Sequence, residues 1–199
     1  MPAYEFEGVR PVVDPSAFVH PTAVLIGDVV IGPRCFIGPG ASLRGDIGRL
    51  FVGEGANIQD NCIVHCFPGK EVLIEVDGHI GHGAVLHGCT IRRNALVGMN
   101  AVIMDDAVIG SESFVAAMAF VAAGTQIPPR TLAAGIPAKV LRELCADEID
   151  WKSQGTAIYQ HLARRYRATA TECEPLAEIE PDRPGVPLLE DHPPKHERK

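Results

Sequence analysis

An aliphatic residue returns every six positions over most of the chain, and this period constrains the fold more than any other feature. It begins at Val19, Leu25, Ile31, Ile37 and Leu43, and four places after each comes Ala23, Val29, Cys35, Ala41 and Ile47, mostly small. After an adjustment near Arg49 the register resumes at Val52, Ile58 and Val64, with Ala56 and Cys62 in the small slot, and again at Ile80 and Leu86. The longest run is Ile91, Val97, Ile103, Ile109, Val115, Val121 and Ile127, partnered by Ala95, Ala101, Ala107, Ser113, Ala119 and Thr125. A helix repeats at 3.6 residues and a strand at two, so neither accounts for a period of six. Short strands separated by turns do, three to a coil, each coil burying its aliphatic row by stacking on the next. The spacing predicts an all-β solenoid, a parallel β-helix of hexapeptide repeats, followed by a C-terminal α-helix.

Boundaries follow from where the repeat starts and stops. Residues 1–14, with Pro2 and Pro11, read as an irregular lead-in, and residues 15–139 as the solenoid, ended by the prolines of Pro128-Pro129 and Ile136-Pro137. Residues 140–173 read as a helical segment in which Asp147 or Thr156 caps a helix, Ile158, Leu162 and Tyr166 share a face, and Gly155 breaks or kinks it. Residues 174–199 hold six of the 16 prolines among charged residues and read as a flexible tail. With 46% hydrophobic residues in 199 and only 6% aromatic, the core must be built from small and β-branched side chains. The net charge of -7 offers no footprint for nucleic acid or for anionic lipid. No apolar stretch approaches the roughly 20 residues of a membrane span, and no leader opens the chain, so a cytoplasmic protein is expected. The six cysteines are irregularly spaced and read as reduced thiols.

Four of the eight histidines fall between Asn57 and Cys89. His65 and His87 each follow the aliphatic residue of their hexad, Val64 and Leu86, so they occupy equivalent slots. Their separation of 22 residues is one 18-residue coil plus an insertion that the loop from Cys66 to Asp77 supplies. His82 lies one residue later in its hexad and should point elsewhere. Two imidazoles on one face and a third aimed away complete an open three-histidine metal site if the third comes from a neighbouring subunit. A homotrimer is therefore expected. His79 competes through an H-x2-H pair with His82 and ranks below it, since it sits at the end of a loop whose length the repeat does not fix.

Leu43-Arg44-Gly45-Asp46, Asn57-Ile58-Gln59-Asp60, His65 and His82-x4-His87 together resemble the γ-class carbonic anhydrase family of trimeric left-handed β-helices. Within it, Phe6-Glu7-Gly8, Gly27-Asp28, Gly98 to Asp105 and the stretch from Trp151 to Gln160 resemble the phenylacetic acid degradation (PaaY) branch and, next, the carnitine-operon (CaiE) branch. The resemblance implies a left-handed coil, with His65 and His87 of one subunit and His82 of the next as ligands of Zn2+ or Fe2+. It implies an Arg44–Asp60 ion pair across the subunit contact, Gln59 orienting the metal-bound water with help from Asn57, and Tyr159 reaching the site from the C-terminal helix. Asp46 completes the candidate set.

Two departures from that family bear on the substrate. Fast members carry a Glu directly after the Asp of the Arg-Gly-Asp segment and acidic residues in the loop after the first ligand. Here Ile47 follows Asp46, and Cys66, Phe67, Pro68 and Gly69 follow His65, with Glu71 and Glu75 only further along. Without an efficient proton shuttle CO2 hydration would be slow. The resemblance therefore implies a metal-dependent thioesterase that hydrolyses acyl-CoA esters in phenylacetate degradation, with metal-bound hydroxide as nucleophile. The alternatives are a carbonic anhydrase, a hexapeptide acyltransferase, whose end segment Gly135-Ile136-Pro137-Ala138-Lys139 resembles, and a non-catalytic accessory protein.

Overall fold

A computed structural model describes residues 2–187, and the part of the expected tail beyond 187 lies outside the described residues. The hexads form a left-handed parallel β-helix. One coil runs through strands Asn57–Ile58, Ile63–His65 and Val72–Ile74, and the next through His79–Ile80, Val85–His87 and Thr90–Ile91. Each strand pairs in parallel with its counterpart one coil on: Ile58 with Ile80, Val64 with Leu86, Ile74 with Ile91. The aliphatic row points inward, and Leu25, Ile37, Ile58, Ile80, Leu86 and Val97 are fully buried, with Ala23, Cys35, Ala41, Ala56 and Ala95 filling the tight corners between faces. Many of the turns place Gly, Asn or Asp in the left-handed region, as at Gly83, Asn61, Asp77, Asn94 and Asn100, where these residues carry the least steric cost.

The structure departs from the periodicity in four places. Ile47 is not inward. The strand Ser42–Val52 takes up extra residues, so Leu50 fills the core and Ile47 is exposed. The stretch expected to be a loop from Cys66 to Asp77 contains the strand Val72–Ile74, which carries the ladder from Leu50–Val52 to Thr90–Ile91, leaving only 66–71 as the insertion. The N-terminal lead-in is not irregular throughout, since Ala3–Tyr4 and Val12–Val13 pair with Val24–Ile31 and extend the first coils. At the other end Thr131–Gly135 adds one more rung, and Ala138–Glu143 folds back on it antiparallel and closes the solenoid.

The third face is covered by helix α1, Ala146–Thr169, which runs unbroken through Gly155. Cys145, the residue before it, is the N-cap, its N–H donating to Glu148 Oε2, 3.0 Å, and neither Asp147 nor Thr156 caps the helix. The packed face is Ile149, Lys152, Thr156, Tyr159, Ala163 and Tyr166, not the Ile158–Leu162–Tyr166 line alone. Tyr166 and Tyr159 stack on Phe18 and Phe36, which the solenoid turns outward. Residues 171–187 carry no helix or strand and are exposed. Among the described residues no helix is long and apolar enough to cross a membrane.

Candidate metal centre

His65 ends strand Ile63–His65 and His87 ends strand Val85–His87, and the two are direct partners across the parallel ladder. Equal slots in the hexad thus become stacked side chains on one face. Their facing atoms are His65 Nδ1 and His87 Nε2, 3.4 Å apart. Each ring is held from its far side by a carboxylate: His65 Nε2 lies 3.1 Å from Asp46 Oδ1, and His87 Nδ1 lies 2.8 Å from Asp105 Oδ1. A carboxylate accepts, so each of those nitrogens carries a proton. The two facing nitrogens then close on a shared positive charge, either a proton on one of them or a cation held by both. Tetrahedral zinc with Zn–N of about 2.0–2.1 Å separates two ligand nitrogens by about 3.3–3.4 Å. The donor set fits a metal, with carboxylates fixing each tautomer as ligating histidines require.

His82 stands apart on the turn Gly81-His82-Gly83 between two faces, with its side chain nearly half exposed. Its Nδ1 lies 2.7 Å from Asp60 Oδ2, which leaves Nε2 as the free nitrogen, and the Tyr159 hydroxyl is 3.5 Å from it. All three candidate ligands therefore carry the same carboxylate-to-imidazole support. Among the described residues no three His, Cys, Asp or Glu side chains of one chain converge on a single metal position.

Arg44 Nη1 donates to Asp46 Oδ2, 2.6 Å, so within the chain it pairs with the aspartate that supports His65, while Asp60 supports His82. The Arg44–Asp60 pair that the resemblance implies would form between subunits, and within one chain the two do not pair. Partial burial works to raise the Asp46 pKa, yet the hydrogen bonds from Arg44 and His65 outweigh it and hold the carboxyl below its usual value. Burial pushes the Tyr159 hydroxyl up to about 12, so it stays a protonated donor. Burial likewise raises Cys66, and Cys62 to about 11, and their Sγ atoms lie 3.4 Å from Lys70 O and 3.2 Å from Gly81 O.

Gln59 is buried and bonded on all sides: Nε2 donates to Asn57 Oδ1, 3.0 Å, and lies 2.7 Å from His79 Nε2, while Oε1 accepts from the His82 backbone N–H, 3.2 Å. Asn57 Nδ2 is fully buried with no partner among the described residues. His79, the competing ligand, has one ring nitrogen against Gln59 and the other 3.2 Å from Thr156 Oγ1, so it is tied into the scaffold. Phe67 packs edge-on to His87, ring centres 4.8 Å apart, and leaves 58% of its surface exposed. Beyond Gly88 opens a cleft of about 490 Å3 lined by Arg49, Lys70, Thr90 and Asp106.

Asp105, Thr156 and Lys152 were not legible as site or scaffold residues. Asp105 had a signal, since it lies 18 residues after His87, one coil length along the chain.

The profile of the bacterial transferase hexapeptide family (six repeats) matches residues 10–45 and 88–123. The carnitine operon protein CaiE of Citrobacter koseri is 53% identical over 186 residues, 94% of each chain, and that of Salmonella newport 54% over 195 residues, 98% of each. A hexapeptide transferase family protein from Anaplasma phagocytophilum superposes with a TM-score of 0.80 at 40% identity, covering 83% of this chain and 98% of that one. A Bacillus cereus protein provisionally named an acetyltransferase does so with 0.82 at 35% identity, covering 83% and 96%. Of the two branches the sequence resembles, the Citrobacter and Salmonella relatives carry the name of the second, the carnitine-operon one, and not of the phenylacetate branch placed first. The chain belongs to the CaiE family of hexapeptide-repeat proteins.

Proposed function

We propose that the chain is a metal-dependent hydrolase of acyl-CoA thioesters, assembled as a homotrimer in which His65 and His87 of one subunit and His82 of the next hold Zn2+ or Fe2+. The observation that carries the reading is the pair of facing imidazole nitrogens 3.4 Å apart, each turned to the other by a carboxylate on its far side. When bound there, Zn2+ would polarise a carbonyl and supply, by acidifying water to a pKa of about 7, a nucleophile at neutral pH. Asp46, Asp60 and Asp105 each lie within hydrogen-bond distance of one nitrogen of a ring and so fix its orientation and which nitrogen is turned to the metal. Asn57 Nδ2 offers a buried hydrogen that an acceptor in the site would satisfy, and the Tyr159 hydroxyl stays protonated beside His82 as a second donor. The exposed ring of Phe67 against His87 gives an acyl group an apolar wall.

Thiol release from a panel of acyl-CoA esters tests this. The panel should pair arylacetyl groups, which the phenylacetate resemblance implies, with quaternary-ammonium groups of the carnitine type, which the name of the relatives suggests. Metal-loaded protein should release thiol, and chelated protein and His82→Ala should lose at least about a hundredfold of that rate. CO2 hydration run alongside should be slow.

A second reading is an acyltransferase, favoured by the His82–Asp60 pair, 2.7 Å, which is built as a general base without any metal. The Bacillus cereus relative is named in that direction. Transfer to an acceptor amine that survives chelation in full would establish this reading in place of the hydrolase.

A further inference from the structure

The Gln59 amide is oriented by a donor that cannot turn round. The His82 backbone N–H lies 3.2 Å from Oε1 and has only a hydrogen to offer, so the amide oxygen must face it. Nε2 is then the atom 3.0 Å from Asn57 Oδ1 and 2.7 Å from His79 Nε2. Both of its hydrogens are used, and each needs an acceptor. His79 Nε2 therefore carries no proton, which places the ring hydrogen on Nδ1, 3.2 Å from Thr156 Oγ1. The threonine hydroxyl accepts it and donates onward to Lys152 O in the backbone of α1, 3.3 Å. The bonds near His82 thus run in one fixed direction from Gln59 to the helix. The same imidazole stands edge-on to Tyr159, ring centres 5.4 Å apart, and the Tyr159 hydroxyl faces His82 Nε2.

We propose that His79 is a positioning residue of the site: its Nε2 accepts the second amide hydrogen of Gln59 and so locks Gln59 against the turn that carries His82. Without an acceptor there, the buried amide is left with an unpaired hydrogen, and turning away from the His82 N–H is the way to satisfy it. The consequence for metal affinity rests on the reading of His82 as a ligand; the lock itself does not.

Two substitutions separate acceptor from filler. His79→Gln carries a carbonyl oxygen to the place of Nε2, whereas His79→Leu fills the space without an acceptor. In chelator competition, zinc affinity should stay within about threefold of wild type in His79→Gln and weaken about tenfold or more in His79→Leu. Nitrogen-15 spectra of histidine-labelled wild-type protein should show His79 as the Nδ1–H tautomer, with or without metal. Equal losses in the two variants, or an Nε2–H tautomer, overturn the proposal. If wild-type protein binds no zinc, the metal reading fails, and the tautomer still decides the lock.

Discussion

Each imidazole of the candidate centre has one nitrogen tied to a carboxylate, Asp46 for His65, Asp105 for His87 and Asp60 for His82, and that tie decides which nitrogen is left to ligate. Asp105→Leu should therefore weaken zinc binding about 10- to 100-fold in chelator competition while the thermal midpoint moves little; unchanged affinity would show that Asp105 does not orient His87. Gly88→Ala should act in the same direction through space. Its backbone sits at φ +53, and an added Cβ would land on the Asp105 carboxylate that holds His87. The left-handed strain adds a stability loss of about 1 kcal/mol, visible in denaturant titration. The histidines were legible because the hexad numbers them directly. Their carboxylates were only half legible, since Asp46 and Asp60 lie in recognisable segments, whereas Asp105 comes from the next coil and stands out only when the chain is wrapped.

Helix α1 docks with polar groups where a sequence reading expects apolar ones. Lys152 is 2% exposed, and its Nζ donates to Asp77 O, 2.6 Å, and Asn94 Oδ1, 2.7 Å. Burial lowers its pKa to about 7, with Arg93 adding to the shift and Asp77 and Glu112 opposing it. A neutral amine keeps two hydrogens and so keeps both bonds. An unfolded lysine titrates near 10.4, so between about pH 7 and 10 the unfolded chain binds more protons than the folded one, and stability rises with pH across that window. Thermal midpoints should climb from pH 7 to 9 in wild type and stay nearly flat in Lys152→Met; parallel slopes would remove Lys152 as the cause. The helix itself was legible, but its packed face was not. Lysine and threonine at 152 and 156 do not register as core in a hydrophobic pattern, and Gly155 reads as a breaker until the solenoid holds the helix on both sides of it.

The solenoid places His65 and His87 on one face and His82 on the turn between two faces, so one chain keeps the two parts of the proposed centre apart. The exposed Ile63 and Phe67 flank His65 in sequence, and the exposed Met99 and Met118 lie on the turns stacked beyond that of His82, offering apolar surface that a neighbouring subunit would cover. The six-residue period was enough to read the coil, because every inward slot must be filled. It did not report the extra strand within 72–74 or the paired N-terminal strands, where the register is shifted by insertions. Nor does a period along one chain tell which faces meet between chains. The most direct measurement is zinc content in mixed trimers of His82→Ala and His87→Ala subunits. Each variant alone should be empty, and random mixing should restore zinc to about a quarter of the sites, those where an intact His82 meets an intact His65–His87 pair. A mixture that stays empty, or a His82→Ala trimer that keeps full zinc, would contradict a centre shared between subunits.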